Sequence, residues 1–205
     1  STYIIAEIGI NHEGSVETCA SMILAAADAG ADAVKLQTID ADSNYIVGTE
    51  SYKVFKGSEL TREETANMFN LARENGLDVF TTVGDIATAE WVEKLEPSSW
   101  KISSGLLTHI PMVRHLASLG RPLLISTGMA NVDDINLAIE TSKSAGNNDI
   151  SLFQCTSLYP APLDSINLST IGWLKEKYGY DVGFSDHSLG IDAAFLSIGA
   201  GAVLI

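Results

Sequence analysis

Short apolar segments alternate with segments of helical periodicity along the whole chain. The apolar segments predict eight strands, at residues 3–8, 33–37, 78–82, 100–103, 122–126, 150–155, 181–184 and 202–205. Seven helices are predicted between them, and several stop at a glycine. A long polar stretch, residues 38–60, follows the second strand. Capping residues mark the starts of three of these helices: Ser15, Thr61 with Glu64, and Asn131. Strands that alternate with helices indicate βαβ units and a parallel sheet.

Two architectures satisfy this alternation, a doubly wound open sheet and a closed (β/α)8 barrel. No G-x-G-x-x-G sequence follows the first strand, so the dinucleotide-binding alternative lacks its fingerprint. The count of eight strands favours the TIM barrel, which commonly needs about 250 residues. We therefore expect residues 1–205 to form a single (β/α)8-type catalytic domain that is truncated after strand eight, without the last helix.

The composition excludes several classes of function. The chain has 26 acidic and 12 basic residues, and this net charge of −14 argues against nucleic acids and anionic membranes as partners. A small anionic substrate stays possible, because a few local lysines can dominate a pocket. Cys19 and Cys155 are too few for a disulfide framework, and we expect both to be reduced core residues. With no signal peptide and no long apolar run, a cytoplasmic location is predicted.

Polar residues follow seven of the eight predicted strands, where a barrel carries its catalytic groups. A lysine within a parallel strand is unusual because such strands are apolar runs, yet Lys35 and Lys101 occupy the second and fourth strands. Lysines together with hydroxyl groups near glycines predict a site for a phosphorylated or carboxylated substrate. The hydroxyl groups at the strand ends are those of Thr82, Ser104, Ser126 and Ser185.

One histidine stands out as a candidate for catalysis or metal binding. His187 lies directly after the seventh strand, and it can be a metal ligand, a general base or a structural hydrogen-bonding residue. Glu7, Asp186 and His187 could share a divalent ion, and all three are candidate catalytic residues. His12, in the first βα loop, is an equally open choice between a site residue and a structural one.

The other candidates are weighed against simple packing. His109 is expected to open a helix and His115 to lie on a helix surface. Trp100 is expected to belong to the core rather than to a substrate platform. Tyr159 precedes the loop Pro160-Ala161-Pro162, where an aromatic side chain can line a pocket or pack against the loop.

Six segments at the predicted strand ends form an ordered set of motifs. They are AEIGINHEG at 6–14, GADAVKLQT at 30–38, WKISSG at 100–105, STGM at 126–129, CTSLYP at 155–160 and GFSDHS at 183–188. Together they resemble the sialic acid synthase family, which makes N-acetylneuraminate, legionaminate and pseudaminate. The resemblance covers essentially the whole chain.

The resemblance implies a fold and an activity. The fold is a (β/α)8 barrel followed by a small antifreeze-like domain, which closes the partner subunit's active site in a homodimer. The activity is a carbon–carbon bond-forming transfer, in which phosphoenolpyruvate condenses with an open-chain N-acetylated amino sugar and phosphate is released. A divalent cation, Mn²⁺ or Mg²⁺, is the implied cofactor.

The resemblance also implies roles for individual residues. His187 is one of two histidines that bind the cation, with Asp186 beside it, and Glu7 lies by the reacting carbons as a base or charge stabiliser. Gln37, Ser157 and Tyr159 lie near the substrates. The residues that hold the phosphate and carboxylate groups are Lys35, Thr82, Lys101, Ser104, Ser126 and Ser185.

The chain departs from the family pattern in several places. The second metal histidine and the antifreeze-like domain are not in the sequence, and Val83-Gly84 replaces a Pro-Phe pair. Leu106 and His109 replace an acidic residue and an asparagine, and Gln154 replaces a histidine. Two alternatives therefore stand beside the synthase: a related phosphoenolpyruvate-dependent synthase acting on a sugar phosphate, and an inactive phosphate-binding paralogue.

Overall fold

The computed structural model describes residues 2–205. The chain forms two compact units: the first unit is residues 4–100, and the second unit is residues 2–3 together with 101–205. In both units strands alternate with helices, as the hydrophobic pattern predicts. No helix in residues 2–205 is both long enough and apolar enough to cross a bilayer.

The first unit contains three parallel strands in the order β1–β2–β3. These are β1 (Ile5–Gly9), β2 (Ala33–Thr38) and β3 (Asp78–Val83). The register places Glu7 opposite Lys35, and Gln37 opposite Thr82, with an irregularity in β1 between Glu7 and Gly9. The helices are α1 (Val16–Asp28), α2 (Ala41–Asn44), α3 (Glu50–Gly57), α4 (Arg62–Glu74) and α5 (Ile86–Val92), followed by a 3-10 turn at Glu93–Leu95.

Two of the predicted helix starts lie in this unit, and both are confirmed. The hydroxyl of Ser15 accepts a hydrogen bond from the backbone N–H of Thr18 at the start of α1. Thr61 and Glu64 form a complete capping box at the start of α4. Each side chain satisfies a backbone N–H that has no partner within the helix.

Residues 38–60 correct the sequence interpretation, because α2 and α3 lie in a segment expected to be a long polar stretch. Each helix is capped locally, by the Asp40 carboxylate and by the Thr49 hydroxyl. No residue of α3 is buried. A helix of four residues is too short to show an apolar period, and α3 is only eight residues long, so neither was recognised in the sequence.

The second unit contains three paired parallel strands in the order β5–β6–β7. These are β5 (Leu123–Ser126), β6 (Ile150–Cys155) and β7 (Asp181–Ser185), while β4 (Trp100–Ile102) lies at the boundary between the units. The helices are α6 (Ile110–Ser118), α7 (Val132–Ser144), α8 (Ser169–Tyr178) and α9 (Asp192–Gly199). Asn131 caps α7 and forms a capping box with Asp134, which confirms that prediction.

The predicted eighth strand is present in reduced form. Leu204 makes single parallel bridges to Tyr3 and to Gly183. The backbone N–H of Phe184 donates to the Leu204 carbonyl at 2.9 Å, and Ile205 N–H donates to the Tyr3 carbonyl at 2.9 Å. Leu204 and Ile205 therefore pair as a short strand would, with β7 on one side and with Tyr3 on the other.

Several single-residue predictions can be compared directly with the structure. Trp100 is fully buried, and His109 caps α6 by accepting from the N–H of Met112 at 3.1 Å, as predicted. Cys19 and Cys155 are buried free thiols, and burial raises the pKa of Cys19 to about 11, so that thiol stays protonated at neutral pH. His115 lies within α6, as predicted, and is half-buried; its Nε2 is buried and has no hydrogen-bond partner in residues 2–205.

Gly183 generates a prediction about packing. A Cβ atom at this position would lie 2.5 Å from Cε1 of the buried Phe153 ring. We expect Gly183→Ala to lower the free energy of unfolding by about 1–3 kcal/mol, because the ring has to shift within a close-packed core. The measurement is urea unfolding of both proteins.

A second glycine is the matched control. Gly172 lies inside α8, and a Cβ atom added there would meet no atom of another element within 4 Å. Gly172→Ala is therefore expected to stabilise the protein by about 0.5–1 kcal/mol. If Gly183→Ala were as stable as the wild type, the close approach to Phe153 would carry no energetic weight.

His12 generates a prediction about pH. His12 is 2% exposed, and its Nδ1 accepts from the backbone N–H of Gly14 at 3.2 Å. Burial lowers the pKa of His12, so the unfolded chain takes up a proton at a higher pH than the folded chain does. This contribution to stability is complete above the unfolded pKa of about 6.5 and is lost as the pH falls towards the folded pKa.

The test compares His12→Asn with the wild type. Asparagine keeps an acceptor for the N–H two residues later but does not titrate. The urea midpoint of unfolding is measured at about pH 7.5 and at about pH 5, and its decrease between the two should be smaller in the variant than in the wild type. An equal decrease in both proteins would show that His12 does not contribute to the acid sensitivity of the fold.

Candidate functional site

Lys35 is the centre of the polar group in the first unit. Its Nζ lies 2.8 Å from Glu7 Oε2 and donates a hydrogen bond to Thr82 Oγ1 at 3.0 Å. The parallel register of β1, β2 and β3 produces this grouping, since Glu7 lies opposite Lys35. Three predicted site residues therefore come together, and the carboxylate offsets the charge of the buried ammonium group.

Gly9 separates two further oxygen atoms at the ends of β1 and β2. It has a φ of 56°, which favours glycine. A Cβ atom here would lie 3.1 Å from Glu7 Oε1 and 3.2 Å from Gln37 Oε1. The predicted residues Glu7 and Gln37 thus flank a narrow space that a larger residue would occupy.

Lys101 has different surroundings in the second unit. Its Nζ lies 3.4 Å from the centroid of the Phe153 ring, and both side chains are buried. This is a cation–π contact, in which the ring quadrupole attracts the ammonium group without carrying a formal charge. Phe153 was not singled out in the sequence, although an isolated glycine in the neighbouring strand, Gly183, signals a close approach of this kind.

Ser104 is joined to the ends of β5 and β6. Its Oγ accepts from the backbone N–H of Gly128 at 3.2 Å and lies 2.9 Å from Cys155 Sγ. A Cβ at Gly128 would lie 2.5 Å from Cys155 Sγ and 2.8 Å from Ser157 Oγ. The predicted residues Ser104 and Ser157 therefore lie around one glycine, whose missing side chain leaves room for both.

The two remaining serines end strands of the second unit. Ser126 is the last residue of β5 and is buried. Ser185 is the last residue of β7 and lies opposite Cys155 in the parallel register. Their positions at strand ends agree with the sequence analysis, and their roles stay predictions.

His187 is held in one tautomer by two hydrogen bonds. Its Nδ1 lies 2.7 Å from the Thr156 carbonyl, which can only accept, so Nδ1 carries the proton. The lone pair of Nε2 then accepts from the hydroxyl of Tyr159 at 3.0 Å. The two rings are stacked, with centroids 4.0 Å apart. A carbonyl that fixes the tautomer of a histidine is typical of metal-binding histidines.

Asp186 has a local structural partner. Its Oδ1 accepts from the backbone N–H of Ser188 at 2.8 Å and from the Ser188 hydroxyl at 2.7 Å. These bonds stabilise the turn after β7, and a catalytic role for Asp186 stays a prediction. Within residues 2–205, no three histidine, cysteine or acidic side chains are grouped closely enough to hold a metal ion.

Each unit also contains a cavity. A small one of about 30 Å³ in the first unit is lined by His12, Glu59 and Thr65, among others. A larger one of about 600 Å³ in the second unit extends from Gly128 to Trp173 and is lined only by uncharged side chains. The larger cavity therefore offers neither a carboxylate or histidine for acid–base chemistry nor a cation for a phosphate group.

Two departures from the family pattern have visible packing partners. A Cβ at Gly84 would overlap the side chain of Asn44, which itself donates to Asp85 at 3.0 Å. Gly84 therefore makes room for α2. Gln154 donates from Nε2 to the Ile166 carbonyl at 2.9 Å, a fixed structural contact.

Comparisons with known proteins agree with the motifs. The family model described as "NeuB family" matches residues 22–205. The N,N'-diacetyllegionaminic acid synthase of Legionella pneumophila is 35% identical, with 99% of this chain and 62% of that protein covered. A pseudaminic acid synthase of Campylobacter jejuni is 32% identical over 99% of this chain and 63% of that protein. The chain thus spans about three-fifths of the length of these curated relatives.

The fold comparison gives the same result. The crystal structure of an N-acetylneuraminic acid synthetase from Leptospira borgpetersenii, in complex with citrate, matches 100% of this chain and 71% of that chain. The TM-score is 0.96 at 30% sequence identity. The prediction of the (β/α) barrel class of these synthases is confirmed, and the chain belongs to the NeuB family.

Proposed function

We propose that this chain forms the phosphoenolpyruvate-binding barrel of a synthase that makes a nonulosonic acid from an N-acylated amino sugar. The observation that carries the proposal is Lys101, a cation buried in a chain of net charge −14 and held against a neutral ring. Placing an ammonium group out of water costs several kcal/mol. Binding of an anion, beside the contacts that the protein itself supplies, offsets this cost.

Phosphoenolpyruvate matches the chemistry of this part of the second unit. It carries up to three negative charges, and Lys101 offsets part of that charge where the acidic chain would otherwise repel it. Ser104, with its hydroxyl fixed by the Gly128 N–H, supplies a polar group at the next strand end. Ser126 and Ser185 add hydroxyl groups at the ends of β5 and β7.

The proposed reaction balances without a redox step. Carbon 3 of phosphoenolpyruvate forms a bond to the aldehyde carbon of the open-chain sugar, and the aldehyde oxygen takes up a proton. Water adds at carbon 2, and the bond between the phosphate oxygen and carbon 2 breaks. The products are a 2-keto acid, extended by three carbons, and inorganic phosphate.

Glu7 is suited to the cationic stage of this reaction. Positive charge develops at carbon 2 before water adds, and a fixed carboxylate stabilises such charge. The ion pair with Lys35 at 2.8 Å holds the Glu7 side chain in place, while half of that side chain stays accessible. Lys35 and Thr82 are thus positioning groups for Glu7 as well as candidates for the anion site.

His187 is the residue we propose as a ligand for a divalent cation. Its Nδ1 is bonded to a carbonyl, so Nε2 is the atom that would coordinate the ion. When bound, the cation supplies Lewis-acid polarisation of a carbonyl oxygen. Tyr159, bonded to the same Nε2, then becomes available to the substrate.

Replacement of Lys101 tests the anion site. Lys101→Ala should raise the dissociation constant for phosphoenolpyruvate on the order of 10–100-fold, because a charge-assisted contact is lost. Isothermal titration calorimetry of the protein gives this constant, with pyruvate and inorganic phosphate titrated separately as partial ligands.

The matched control is Lys143→Ala. Lys143 is an exposed residue of α7 that pairs with Glu140 at 3.7 Å, so the variant makes the same change in net charge away from the strand ends. Its affinity should equal that of the wild type. If Lys101→Ala also binds phosphoenolpyruvate normally, Lys101 does not belong to the anion site.

Replacement of His187 tests the cation proposal. His187→Ala should abolish stimulation by Mn²⁺ of phosphate release from phosphoenolpyruvate and N-acetylmannosamine. Tyr159→Phe should keep the stimulation, since it retains the stacked ring and removes only the hydroxyl that occupies Nε2. Stimulation that persists in His187→Ala would contradict the assignment of His187 as a ligand.

A further inference from the structure

The aromatic ring beneath Lys101 is the feature that the family motifs do not account for. Phe153 is 2% exposed and lies in the middle of β6. Its ring centroid is 3.4 Å from Lys101 Nζ, so the ammonium group lies directly on the ring. Both residues belong to the second unit.

Gly183 determines where that ring can lie. It is paired with Phe153 in the parallel register of β6 and β7. A Cβ at Gly183 would lie 2.5, 2.7 and 2.8 Å from Cε1, Cζ and Cδ1 of the ring. Only a residue without a side chain leaves the ring in this position, so β7 fixes the ring and the ring in turn contacts the lysine.

The two buried lysines have contacts of different chemistry. Lys35 lies 2.8 Å from a carboxylate. Lys101 lies on the Phe153 ring, whose quadrupole attracts the ammonium group. The ring therefore fixes the position of the Lys101 ammonium group.

We infer that Phe153 is a positioning residue that holds the Lys101 ammonium group for binding the anionic substrate, with Gly183 setting the position of its ring. The anionic substrate is the phosphorylated carboxylate of the proposed function, on which this role rests. Without the ring, the long lysine side chain gains alternative rotamers, and part of the binding free energy is spent on ordering it.

The first experiment detects the contact between Lys101 and Phe153 by NMR and does not depend on enzyme activity. In protein with ¹³C-labelled lysine, the ε-methylene signal of Lys101, assigned by its loss in Lys101→Met, should be shifted upfield by the Phe153 ring current. Phe153→Leu should return it to the range of the other lysines. The matched control is Phe184→Leu, which truncates an equally buried phenylalanine of β7 and should leave the signal in place.

The second experiment measures the effect of the same substitutions on phosphoenolpyruvate affinity. Phe153→Leu should weaken phosphoenolpyruvate binding on the order of three- to thirtyfold, the range of a desolvated cation–π contact. Phe184→Leu should bind as the wild type does, and in a Lys101→Met background Phe153→Leu should have no further effect. In steady state the loss should appear in KM for phosphoenolpyruvate rather than in kcat.

The possible results separate the two proposals. An unshifted Lys101 signal in the wild type overturns the aromatic contact whatever the activity is. A shifted signal with equal affinities in Phe153→Leu and Phe184→Leu overturns the positioning role and leaves the proposed function standing. Equal affinities in the wild type and Lys101→Met overturn the anion site, and the positioning role with it.

If Phe153→Leu does not fold, Gly183→Ala is the second variant. It keeps the ring but displaces it, since the new methyl group would overlap three ring atoms. The Lys101 signal and the phosphoenolpyruvate affinity should then change together. A displaced signal with unchanged affinity would overturn the positioning role.

Discussion

A lysine inside a parallel strand has to be stabilised by its neighbours, because removal of an ammonium group from water costs several kcal/mol. The fold meets this constraint with two different chemistries. Lys35 is balanced by a carboxylate and a hydroxyl, and Lys101 lies on the face of an aromatic ring. The first arrangement fixes an anionic side chain at the strand ends, and the second fixes the position of an ammonium group.

Glycines make these contacts possible. Strand ends carry polar groups that must approach each other closely, and at Gly128 and Gly183 a Cβ would overlap sulfur, oxygen or ring atoms of the next strand. The absence of a side chain at one position thus determines the orientation of a functional side chain at another. The site depends on steric constraints within the sheet as much as on the charged residues themselves.

Most of the fold was predictable from local signals. The apolar segments mark the seven strands, and Ser15, Thr61 and Asn131 mark helix starts by a mechanism that acts within three residues. The helices within residues 38–60 were not predicted, because α2 has only four residues and α3 only eight. They are stabilised by local caps and by surface ion pairs, such as Lys56 with Asp42 at 2.8 Å.

The candidate site was predictable only in part. The strand-end rule identified Lys35 and its partners, but Phe153 was missed because its contact with Lys101 joins β4 to β6, which are not successive in the chain. The tautomer of His187 depends on a backbone carbonyl, which has no signature in the sequence.

The two pairs of side chains in the second unit, Lys101 with Phe153 and His187 with Tyr159, also differ in burial. Lys101 and Phe153 are both buried. Tyr159 is 79% exposed, and its hydroxyl occupies the one lone pair that Nε2 of His187 offers. A single lone pair cannot serve both a hydroxyl and a metal cation, so a cation that binds at Nε2 has to displace the Tyr159 hydroxyl. The Lys101 side therefore consists of buried side chains, whereas on the histidine side a mostly exposed tyrosine covers the lone pair.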